Sequence, residues 1–70
     1  MRVKSDPAAR LRVLMAERDI NTQELAELTG LSVNTISSLR SGRVKTPTIE
    51  NAYLIAEVLG VEPNTIWPNR

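Results

Sequence analysis

The chain has 70 residues, nine of them basic and eight acidic, with no cysteine and no histidine. That length supports one domain, which buries only about 60% of the surface its unfolded form exposes, so marginal stability is expected. Without Cys or His, a disulfide framework and the usual zinc ligands are excluded, and stability must come from packed aliphatic side chains or from self-association.

Apolar stretches run for only a few residues and no charged-then-apolar leader opens the chain. Neither a membrane span nor a secretory signal is expected, and the location expected is cytoplasmic. The net charge of +1 conceals an uneven distribution. Residues 1–12 carry Arg2, Lys4, Arg10 and Arg12 against Asp6 alone, and residues 28–49 carry Arg40, Arg43 and Lys45 with no acid. Such runs are either solvated faces or, if they share one face, a footprint for a polyanion.

Taken in chain order, Asp6 followed by Pro7 reads as an N-cap with proline at the first helical position, after which Leu11, Leu14 and Met15 recur at helical spacing to about Arg18. Residues 1–6 ahead of that helix are expected to be flexible. Asn21 caps a second helix carrying Leu25, Ala26 and Leu28, which Gly30 ends in the left-handed conformation that a Cβ would penalise. Ser32 caps a third, from Val33 to about Arg40, with Ile36 and Leu39 on one side and small polar groups elsewhere. Gly42 stops it. A basic loop, Arg43 to Pro47, leads to Thr48 as the cap of a fourth helix, whose Ile49, Ala52, Tyr53, Ile55, Ala56 and Leu59 form an amphipathic pattern up to Gly60. Pro63 opens a final short turn with Ile66 and Trp67, closed by Pro68. No block alternates with period two, so the expected class is all-α.

Two short helices joined by a tight glycine-containing turn form the core of a helix-turn-helix, here at about residues 22–41 of a single domain covering 1–70. In that arrangement the second helix enters the major groove, where base edges distinguish all four base pairs. Ala26, Gly30, Leu31, Ile36 and Leu39 are its expected scaffold.

The residues Leu25-Ala26, Gly30-Leu31-Ser32, Thr35-Ile36-Ser37, Leu39, Ser41-Gly42-Arg43, Pro47, Ile55-Ala56 and Leu59-Gly60-Val61 together resemble the phage Cro and C1 repressor family, over roughly residues 8–67. The resemblance implies a compact five-helix, lambda-repressor-like DNA-binding domain, a role in transcription, and two subunits on a pseudo-palindromic operator of double-stranded DNA. Carried across by position, it places Ser32, Val33, Asn34, Ser37 and Ser38 at base edges. Asn34 is the leading specificity candidate, since a carboxamide bonds adenine bidentately, and Val33 suits a thymine methyl. Ser32 has the alternative of acting as an N-cap alone, and Thr35 either reaches a phosphate or assists the helix start.

The family commonly has Gln at the first turn of the second helix, bonded to a phosphate. This chain has Thr22 there and Gln23 one position later, and either can make the contact. Arg40, Arg43, Lys45 and Thr46 read as a phosphate clamp, with Arg10 reaching the backbone from the first helix. Arg40 has the competing reading of an intramolecular salt bridge. Arg2 and Lys4 are either a solvated terminus or a DNA-contacting arm. Ile66 and Trp67 read as a core plug or a dimer patch, two roles that can coexist.

Catalysis finds no support: the serines have no evident base partner, and Glu50, Glu57 and Glu62 lie on a helix face or its exit. No cofactor or metal is expected. Ending at Arg70 with no further domain, the chain is expected to be a stand-alone Cro-like or immunity-type repressor rather than a cleavable or ligand-sensing one. The alternative is an antitoxin-like or other protein-interaction module, with a protein partner at the apolar C-terminal turn.

Overall fold

Four side chains open four helices by the same local device. Asp6 accepts from the amide of Ala9 (2.8 Å) at the head of α1, Pro7–Glu17. Asn21 accepts from the amide of Glu24 (2.8 Å) at α2, Thr22–Thr29, and the Glu24 carboxylate accepts in return from the Asn21 amide (3.0 Å). Ser32 accepts from the amide of Thr35 (3.0 Å) at α3, Val33–Ser41, and Thr48 from that of Asn51 (3.2 Å) at α4, Ile49–Leu59. Each bond satisfies an amide that the first turn of a helix leaves without a carbonyl. A fifth helix, α5, is a single turn, Pro63–Ile66. The computed structural model describes residues 6–68, and among these there is no strand. Arg2 and Lys4, the proposed arm, lie outside the described residues.

The helix ends also follow local chemistry. Gly30, Gly42 and Gly60 close α2, α3 and α4 with φ of +80°, +89° and +75°. At Gly30 an added Cβ would meet nothing within 4 Å, so its cost is conformational alone. Gly30→Ala is therefore expected to lower the unfolding free energy by about 1–2 kcal/mol, and Gly30→Asn by less, because Asn tolerates the left-handed region. A urea midpoint unchanged in Gly30→Ala would show that α2 can end without that conformation.

The helices enclose a core of Leu11 and Met15 from α1, Leu25 and Ala26 from α2, Ile36 and Leu39 from α3, Ile55 and Leu59 from α4, and Ile66 with Trp67. Ile66 is fully buried and Trp67 is 7% exposed. Both side chains therefore plug the core, and Trp67 also edges a surface depression with Ile49 and Tyr53.

The amphipathic reading of α4 is corrected in part. Ile55, Ala56 and Leu59 face inward, but Ile49 is 77% exposed and Tyr53 61%. A buried stripe centred on Ile55 and Leu59 leaves positions 49 and 53, one turn apart, on its outer flank.

Three arginines, Arg10 and Arg12 in α1 and Arg18 at its C-cap, tie the bundle together. Arg12 donates to the carbonyl of Arg40 at the end of α3 (2.8 Å), Arg18 to the carbonyl of Leu59 at the end of α4, and Arg10 to the carbonyl of Thr65 in α5 (3.3 Å). The last carbonyls of a helix have no intrahelical partner and sit at the negative end of its dipole, so a guanidinium serves each well. Among the described residues no helix is long and apolar enough to cross a membrane.

Candidate nucleic-acid interface

The turn between α2 and α3 is set by Thr29 as well as by Gly30. The Thr29 hydroxyl is buried, donates to the carbonyl of Leu25 (2.7 Å), lies 3.2 Å from that of Ala26, and accepts from the amide of Leu31 (3.3 Å). It thus bonds both the end of α2 and the chain entering α3. Sequence reading missed this residue; a small hydroxyl one position before the capping glycine was the available signal. Ala26 is buried, as close approach of the two helices demands.

With Ile36 and Leu39 turned into the core, the opposite side of α3 is left to solvent. Val33, 48% exposed, lies there with Asn34 and Ser37, and Ser32 is exposed at the cap. Positions 33, 34 and 37 share one helical face. Ser32 both caps Thr35 and lies 2.9 Å, hydroxyl to hydroxyl, from the Thr35 side chain, which is half-buried. The Ser32 oxygen is thus engaged in capping while the residue remains at the surface.

Ser38 is not on that face. It is 8% exposed, and its hydroxyl accepts a hydrogen bond from the guanidinium of Arg43. One position past Ser37 turns a side chain about 100° round the helix, which carries Ser38 from the groove side toward the following loop. Arg43 is thereby anchored to α3. Val44 donates its amide to the carbonyl of Ser38 (3.2 Å), so the loop is held at two points.

The loop brings Thr46 beside the start of α3, where both edge a shallow depression with Asn34 and Thr35. Thr48 and Asn51 complete that edge, and Asn51 is a polar side chain the sequence reading did not single out. Arg40, Arg43 and Lys45 are all exposed. Among the described residues the one ion pair joins Arg18 to Glu17 (3.3 Å), so the salt-bridge reading of Arg40 finds no partner there. Uncompensated cations beside an exposed polar helix face form a surface suited to a polyanion. Arg10 is not among them, being engaged by α5. On α2, Thr22 is half-buried and Gln23 exposed.

A short helix, a glycine turn and a second helix with its polar face outward define a DNA-binding helix-turn-helix domain, and the chain belongs to the Cro/C1-type family of such domains, whose family model matches residues 10–67. It is also 43% identical over 60 residues to the HTH-type transcriptional regulator PrtR of Pseudomonas aeruginosa strain PAO1. That match covers 86% of this chain and 22% of the relative's length.

Proposed function

We propose that this chain is the DNA-reading part of a transcriptional regulator, a repressor that binds a pseudo-palindromic operator as a dimer. The observation that carries the reading is the shared exposed face of Val33, Asn34 and Ser37, flanked by Arg40, Arg43 and Lys45 with no carboxylate within ion-pair distance among the described residues. In this reading Asn34 and Ser37 hydrogen-bond base edges, Val33 meets a thymine methyl, and Ser32 stands at the groove entrance. Thr35, Thr46 and the three cations grip the phosphates. Gln23, the longer and more exposed of the two candidates at α2, takes the remaining phosphate. The 43% identity to a protein named as a transcriptional regulator supports the same reading.

Selection of bound duplexes from a random pool tests it, with enrichment of a two-fold-related sequence expected and no enrichment opposing it. Asn34→Ala is expected to lose about 1–3 kcal/mol of discrimination at one or two base pairs while binding random DNA as before. Equal losses on selected and random duplexes would place Asn34 off the bases.

A further inference from the structure

The loop after α3 carries one apolar side chain among polar and charged neighbours: Val44 stands between Arg43 and Lys45, with Thr46 next. Val44 is 43% exposed and lies outside the core cluster, so the fold gains little from it. A single exposed apolar residue needs no explanation by itself. The position of this one, however, is fixed by α3. Its amide donates to the carbonyl of Ser38 (3.2 Å), the amide of Arg43 donates to the Ser41 hydroxyl (3.3 Å), and the Arg43 guanidinium donates to the hydroxyl of the buried Ser38. These bonds tie residues 43 and 44 to the last turn of α3. Val44 also lines the depression shared by Asn34 and Thr35 at the start of that helix. Being β-branched, its side chain is stiff at χ1 and presents its two methyl groups in a defined direction.

We propose that Val44 reads sequence, its methyl groups meeting the 5-methyl group of a thymine beside the bases that Asn34 reaches. The proposal rests on the DNA-reading role of α3 and extends it to a residue outside that helix. The thymine methyl is the apolar feature that a base edge offers in the major groove. Arg43 and Lys45, on either side, draw the loop onto phosphates, which carry no sequence information directly. A methyl group set against a phosphate oxygen gains nothing by leaving water, whereas two methyl groups set against each other both do. Because Arg43 and Val44 are bonded to α3, the loop docks with that helix as one body, and the contact costs little further ordering of the chain. The site read is then wider than the exposed face of α3 alone.

The test crosses Val44→Ala with thymine-to-uracil substitution, which removes the 5-methyl group alone, made one position at a time in one half of the duplex enriched from a random pool. An unchanged urea midpoint and an unchanged salt slope show that the variant keeps the fold and the phosphate contacts. At one thymine the parent is expected to lose about fourfold in affinity on substitution, the value of one buried methyl-sized group. Val44→Ala is expected to lose a similar factor on the thymine duplex and less than about twofold more on the uracil duplex. Losses that multiply independently at every thymine overturn the contact. So does a parent indifferent to uracil at every position, and in both cases the enriched sequence leaves the role of α3 standing. Equal weakening of Val44→Ala on selected and random duplexes, with a shallower salt slope, also overturns it and assigns Val44 to the support of the phosphate clamp. A parent that enriches no sequence overturns the DNA-reading role itself, and this contact with it.

Discussion

Ile36→Ala is expected to lower the unfolding free energy by about 2–5 kcal/mol, the usual cost of leaving a cavity at a fully buried branched side chain. Ile36 has no exposed surface and sits among core side chains from every helix, beneath the face proposed to read DNA. A domain of this size has a total stability on the order of 4–10 kcal/mol, so the variant should lose a large share of it. Val33→Ala, three residues earlier on the same helix but half exposed, is expected to change stability by under about 0.5 kcal/mol. Urea denaturation of the two variants beside the parent checks the contrast. Similar midpoints for both would mean that Ile36 is not the keystone its burial implies, or that neighbouring side chains collapse freely into its space.

The second large effect concerns the cations. Each phosphate neutralised contributes about 0.9 to the slope of log affinity against log salt, so Arg40→Ala with Lys45→Ala is expected to make that slope shallower by about 1.8. The loss should be the same for selected and random duplexes, because phosphates carry no sequence information directly. Stability should hardly move, since neither charged group has an ion-pair partner among the described residues. Titrations at four or more salt concentrations give the slope directly, and an unchanged value would remove both residues from the phosphate contacts. Arg43→Ala should behave differently. It removes a charge and also the hydrogen bond that fixes the loop to Ser38, so part of its loss is expected to appear as a less ordered loop rather than as slope.

The helix boundaries were legible because their signals act over three or four residues. Asp6, Asn21, Ser32 and Thr48 cap the helices they precede, and Gly30, Gly42 and Gly60 end them in the left-handed conformation. A cap is a bond between a side chain and an amide three positions on, so no distant part of the chain is needed to specify it. The same holds for the inward turn of Ile36 and Leu39, which helical spacing dictates once the helix start is known. The order of the helices and the outward face of Val33, Asn34 and Ser37 follow from these local rules.

What only the tertiary structure decided involves partners far apart in sequence. Arg10, Arg12 and Arg18 find carbonyls 55, 28 and 41 residues away, and a count of charges along the chain treats them as solvated or as anion ligands. Ser38 was indistinguishable from Ser37 until the Arg43 loop folded back over it. Ile66 and Trp67, open to two readings, became core because α5 packs against α1 and α4, while Ile49 and Tyr53 were left outside because that same packing covers only part of the apolar arc of α4. Periodicity tells which residues share a face of a helix, and the chain by itself determined that much. How wide a face the rest of the molecule covers depends on where the other helices lie, and that is set by three-dimensional packing alone.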